Sequence, residues 1–173
     1  MKSSTKYYST IQEKMVADCL GRDFHAVSGS GAAPCTPGDV IGPDWLIECK
    51  THVTVLPNLI FNRNVWKKIK EEAFAKHRHP ALVTDNGTQK LSETWILIRE
   101  SDAPKHRLFP TKVTDLDLRS TVNTIIDIAT LKSTIRESKK DCQDFMFHCI
   151  RCKLDSDTCL VMQLSTFEEL IGD

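Results

Sequence analysis

At 173 residues, with 40% apolar and 27% charged side chains, the chain has material for one domain around a single core. Its 23 lysines and arginines balance 23 acids, so net charge alone argues for no anionic partner. No apolar run approaches the roughly 20 residues that span a bilayer, and "MKSSTKYYST" lacks the apolar run of a signal peptide, which predicts an intracellular, cytoplasmic protein with no membrane partner.

Residues 5–20, "TKYYSTIQEKMVADCL", are predicted to be a helix, with Tyr8, Ile11, Met15 and Cys19 as its apolar stripe and Gly21 as its end. "DFHAVS" is a short strand. "SGSGAAPCTPG" is a loop, with three glycines and two prolines in eleven residues. A short strand around "DVI", the turn "GPDW" and the strand "WLIECK" follow. Residues 62–78, "NRNVWKKIKEEAFAKHR", are a strong helix with Val65, Ile69 and Ala73 on its apolar face, Trp66 beside them and Asn64 as cap. "PALVTDN" and "TWILIRE" are buried strands joined by a turn. The first hundred residues thus alternate helix and strand as a mixed α/β core does.

Beyond residue 100, "STVNTIIDIATLKSTIRES" has the length of a helix despite many β-branched residues. "DFMFHCIRCKL" and "TCLVMQL" flank the turn "DSD" as a hairpin. "TFEELIG" closes the chain as a short helix, with Thr166 and Glu169 in capping-box spacing.

The hairpin "GDVIGPDWLIECK" carries the most chemistry. Residues two apart on a strand share a face, so Glu48 and Lys50 point together while Trp45, Ile47 and Cys49 turn to the other side. If Pro43 and Asp44 form a two-residue loop, Asp39 lies opposite Glu48, with Cβ atoms about 4.5–5.5 Å apart. A three-residue loop would break that opposition. Two carboxylates this close repel, and a divalent cation relieves the repulsion. All-oxygen ligation favours Mg2+ or Mn2+. Lys50 could then hold the attacking water or neutralise charge on a phosphorane. A solvated strand face with a weak Glu–Lys pair is the plainer alternative.

The order of elements and motifs resembles the PD-(D/E)XK nuclease superfamily, and within it the Holliday junction resolvases of archaeal and phage type. The resemblance covers roughly residues 8–100: a helix bearing Glu13, the "VSGSG" loop, "GDVIGPDWLIECK", a lysine-rich helix and "PALVTDN". It implies a restriction-endonuclease-like mixed β-sheet flanked by helices, here with a C-terminal α+β extension. It implies that Asp39, Glu48 and Lys50 carry the core motif, that Glu13 completes the acidic site, and that Ser28 and Ser30 lie in a flexible loop near DNA. It also implies a Mg2+- or Mn2+-dependent homodimer that nicks branched DNA. Gly38 departs from the pattern, since a proline usually precedes the motif aspartate.

Charge is unevenly distributed. Residues 1–90 carry 12 basic against 9 acidic side chains, and residues 91–173 carry 11 against 14. Arg63, Lys67, Lys68 and Lys70 form a candidate phosphate-contacting face, and His52 is placed on the face of Glu48 and Lys50. Cys149 and Cys152 make a CxxC near Cys142 and Cys159. On a strand these thiols would diverge, so buried free cysteines fit better than zinc. The resulting expectation is a metal-dependent endonuclease resolving four-way junctions. A restriction- or repair-type nuclease on duplex or flapped DNA and a non-cutting DNA-binding module are the alternatives. The strands "FMFHCI" and "CLVMQL" are candidate dimer surfaces and equally candidates for the core.

Overall fold

The computed structural model describes residues 5–27, 37–105, 112–115, 123–140 and 147–172. Helix α1 (Thr5–Leu20) leads through β1 (His25–Ala26) to the β2 (Val40–Ile41) and β3 (Trp45–Lys50) hairpin. Then come β4 (Asn58–Asn62), α2 (Arg63–Ala75), β5 (His79–Asp85), β6 (Thr94–Arg99) and β7 (Lys112–Asp115). The remainder is β8 (Asn123–Asp127), α3 (Ile128–Lys140), β9 (His148–Leu154), β10 (Asp157–Gln163) and α4 (Leu164–Ile171).

Eight strands form one mixed sheet in the order β1-β2-β3-β5-β6-β10-β9-β7. The β3–β5 and β7–β9 pairs are parallel and the other pairs are antiparallel. Strands β3, β5 and β6 bury both faces, as the runs "WLIEC", "PALVTD" and "TWILI" require. One core lies under α1 and α4 and contains Val16, Ile47, Val83, Ile96 and Phe167. The other lies under α2 and α3 and contains Leu46, Trp66, Leu82, Trp95 and Leu131. The α/β expectation holds. The C-terminal part continues the same sheet, since β10 pairs directly with β6.

Several local expectations are corrected. The buried side of α1 is Gln12, Val16, Ala17 and Leu20, while Ile11, Met15 and Cys19 are only partly covered. Strand β4, unforeseen, pairs with β8 in a two-stranded ribbon joined by Asn62 Nδ2 donating to Asn123 Oδ1 at 2.8 Å. The predicted long helix near residue 125 is therefore part strand: "NTIID" takes the extended form its β-branched residues favour, and the helix begins at Ile128. Asn62, not Asn64, caps α2, accepting from the Asn64 and Val65 amides at 2.9 and 3.1 Å. Helix α4 starts at Leu164, so Thr166 sits inside it and no capping box forms. The segments suggested as dimer surfaces are core: Cys149, Ile150, Leu160, Val161 and Met162 are all buried within one chain.

Candidate active site

The β2–β3 turn has the two-residue loop that the carboxylate pair needs. Val40 faces Ile47, Ile41 faces Leu46, and the Gly42 amide donates to the Trp45 carbonyl at 3.0 Å. The paired register ends at Val40, and Asp39 is held beside β3 by bonds of its own. The Asp39 amide donates to the Ile47 carbonyl at 2.8 Å, and its Oδ2 accepts from the Cys49 amide at 2.8 Å. Both carboxylates are buried, at 8% and 6% exposure. Lys50 Nζ reaches back to Glu48 Oε1 at 2.5 Å and remains half-exposed.

The departure at Gly38 has a backbone cause. Its φ is +66°, and a Cβ there would stand 2.8 Å from Leu46 Cδ1. Proline, fixed near φ −65°, could not take this conformation. The Gly38 amide donates to Glu72 Oε2 of α2 at 3.2 Å, which ties the entry of the motif strand to that helix.

Helix α1 brings Glu13 to the same place. With Val16, Ala17 and Leu20 on the buried side, Glu13 lies on that side too, not on the edge of an outward stripe. Burial, then the charges of Asp39 and Glu48, raise its carboxyl above the ordinary value, while Lys50 pulls it the other way. Glu13 thus feels the charges of Asp39, Glu48 and Lys50. Burial alone would lower the Lys50 pKa, but the Glu48 charge and hydrogen bond, aided by Asp39, leave it raised. Lys50 is therefore a firmly held cation. Gln12, wholly buried, donates from Nε2 to the Lys50 carbonyl at 2.8 Å and docks α1 on the end of β3. Its Oε1 has no hydrogen-bond partner.

The loops beside Lys50 are held by a residue that pattern reading passed over. Asp85, fully buried at the end of β5, accepts from Thr51 Oγ1 at 2.6 Å and from the amides of Gly87 and Gln89 at 3.0 and 3.1 Å. Gln89 in turn donates to the Tyr8 carbonyl at 2.9 Å. Gly87 has φ +91°, and a Cβ would meet the Thr54 carbonyl oxygen at 2.5 Å. The Asx-turn signature "TDNG" was the available signal.

The remaining candidates separate. Strand β3 ends at Lys50, so His52 leaves the strand face and lies in the following loop. Ser28 and Ser30 lie outside the described residues. Arg63 and Lys67 pair with Asp155 Oδ1 at 2.7 and 3.6 Å, and Lys70 pairs with Asp157 Oδ2 at 2.6 Å. Lys68 pairs with Glu72 at 3.6 Å. The α2 cations are thus compensated within the chain. Cys149 packs in the core under α1 and Cys152 in the core under α3, as strand alternation requires. Burial pushes both thiols up to about 12. Cys142 lies outside the described residues.

Among the described residues, no three His, Cys, Asp or Glu side chains form a ready chelate. Glu48 is turned onto Lys50, and one Asp39 oxygen is turned onto the Cys49 amide. The donor chemistry still suits a hard cation. Asp39 and Glu48 are buried carboxylates whose charges add to the burial that raises Glu13, a penalty that a cation would relieve. Among the described residues no helix is long and apolar enough to cross a membrane. No family model, no curated protein and no solved structure matches this chain.

Proposed function

We propose that the chain is a metal-dependent endodeoxyribonuclease of the PD-(D/E)XK type, with a restriction-endonuclease-like core, and that it resolves four-way DNA junctions as a homodimer. The observation that carries this reading is the cluster of Glu13, Asp39, Glu48 and Lys50. It is supported by Lys50 on Glu48, by Asp39 on the Cys49 amide between them, and by Gln12, next to Glu13, on the Lys50 carbonyl. Asp39 and Glu48 would hold Mg2+ or Mn2+, with Glu13 as a third donor from α1. Such a cation, when bound, polarises a phosphate oxygen and lowers the pKa of its water.

The chain's own residues do the rest. The reaction adds water to phosphorus and breaks one P–O bond of the backbone. Lys50, protonated and half-exposed, stands where an ammonium can offset charge that builds on the phosphoryl oxygens. The Gln12 bond to the Lys50 carbonyl and the Asp85 loop fix the strand end that carries it. Asp39, bonded to the Cys49 amide, is held beside β3. Junction resolution needs two symmetric cuts, which a two-fold dimer supplies.

One gel tests this. Plasmid, linear duplex and four-way junction are incubated with the protein in Mg2+ or EDTA. Paired nicks in the junction that EDTA abolishes are expected. Equal cutting of duplex and junction would leave a restriction- or repair-type nuclease. Binding without cutting in any metal would leave a non-catalytic DNA-binding module. Glu48→Gln should reduce cleavage by at least about a hundredfold while unfolding in urea as the wild type does. Lys50→Ala should lower the single-turnover rate and leave junction affinity nearly unchanged. Loss of affinity alone would make Lys50 a phosphate contact.

A further inference from the structure

Strand pairing sets Lys50, Thr84, Trp95 and Gln163 in one row across β3, β5, β6 and β10. Paired residues share a face, so the row points to the side of the sheet that α3 covers. Neighbouring strands are about 4.8 Å apart, which puts Gln163 roughly 14 Å from Lys50. At that end of the row a cleft of about 300 Å3 opens between α3 and the paired ends of β6 and β10.

Three cations line the cleft. Lys132, Arg136 and Lys139 are four and three residues apart and share one face of α3. Lys132 pairs with Glu93. Arg136 and Lys139 are exposed and form no ion pair among the described residues. Trp95 lines the same cleft, and its wholly buried indole N–H lacks an acceptor. Gln163 Nε2 donates to the Ser92 carbonyl at 3.2 Å and fixes the rim. A site with unengaged cations, an unmet donor and no carboxylate lining it suits an anion.

We propose that this cleft is a second phosphate-binding subsite, seating the DNA strand that runs from the scissile phosphodiester along the sheet end. This rests on the nuclease reading for its choice of ligand. At a rise of about 3.4 Å per nucleotide, roughly 14 Å is about four steps along the strand. The subsite binds backbone and reads no base. It supplies the cationic contact that the compensated α2 face lacks.

The test compares Arg136→Ala/Lys139→Ala with Lys153→Ala, whose side chain is exposed on β9 and alternates to the opposite sheet face from Cys152 and Leu154. The probe is a fluorescein-labelled four-way junction, titrated at several salt concentrations. For the double variant, affinity should fall on the order of tenfold at about 0.1 M salt, and the slope of log K against log salt should be shallower by about two. Lys153→Ala should behave as wild type.

Wild-type affinity and salt slope in the double variant would overturn the subsite, even if the protein cuts DNA. A wild type that binds the junction and never cuts it, with binding lost in the double variant, would retain the subsite and overturn the nuclease reading. A wild type that binds no DNA would overturn both.

Discussion

Helices α2 and α3 look alike in sequence. Each has 13 residues, a buried apolar side and several lysines and arginines on the other side. Their charges meet different fates. On α2 the cations begin at the first residue, where the positive end of the helix dipole opposes them. The β9–β10 turn answers with Asp155 and Asp157, which take Arg63, Lys67 and Lys70 and also accept from Trp66 Nε1 at 2.8 Å. On α3, Lys139 and Lys140 occupy the last turn, where the dipole favours a cation. Among the described residues, Arg136 and Lys139 form no ion pair. Position along the helix axis thus decides which cations become structural and which stay available.

The largest effect expected from this contrast is on stability. Asp157→Ala leaves the buried Trp66 indole without its acceptor and should cost about 1–3 kcal/mol in urea unfolding. Arg136→Ala/Lys139→Ala touches exposed side chains and should stay within about 0.5 kcal/mol of wild type. A reversal of these two results would break the comparison. Binding sharpens it next. Lys67→Ala should leave junction affinity and its salt slope unchanged, whereas Lys139→Ala alone should make the slope shallower by about one.

Two pH effects are smaller. Burial tends to raise the Asp155 carboxyl, but the Arg63 hydrogen bond and the charges of Lys67 and Lys70 hold it below the ordinary aspartate value. A depressed folded-state value adds stability above the unfolded pKa and loses it as pH falls through the folded one. Asp155→Asn should therefore flatten the loss of stability at acid pH, measured as melting temperature. Glu13 has the opposite sign. Its raised carboxyl binds the proton more tightly when folded, so stability falls as pH rises from the ordinary glutamate value through the raised one. Glu13→Gln should melt slightly higher than wild type at neutral pH without metal, and the gain should vanish below the ordinary glutamate range.

Much of the hairpin was legible beforehand. "GPDW" allowed a two-residue or a three-residue loop, and the structure takes the two-residue one, which sets Val40 against Ile47 and Ile41 against Leu46. The faces of Cys149 and Cys152 followed from the two-residue period in the same way. The buried side of α1 was not legible, because hydrophobic periodicity does not register a polar residue in the core. Gln12 is buried for its hydrogen bond to the Lys50 carbonyl, and the more apolar Ile11 and Met15 are left partly covered. The β4–β8 ribbon escaped for another reason. Its partners lie more than 60 residues apart, and each strand alone is a five-residue run too short to show a period. The role of α2 was misread because charge on a helix face does not reveal whether an acidic turn some 90 residues later will meet it.

The place of β10 in the sheet governs when this protein can fold. Strand β6 forms in the first hundred residues, yet its outer edge is closed only by residues 157–163. During synthesis the buried run "WILI" therefore keeps one edge unpaired until residues 157–163 have been made. An open apolar edge is a template for pairing with other chains. Pairing of β10 with β6 is what removes that exposed edge, so a chain truncated before residue 157 should aggregate more readily than the full chain.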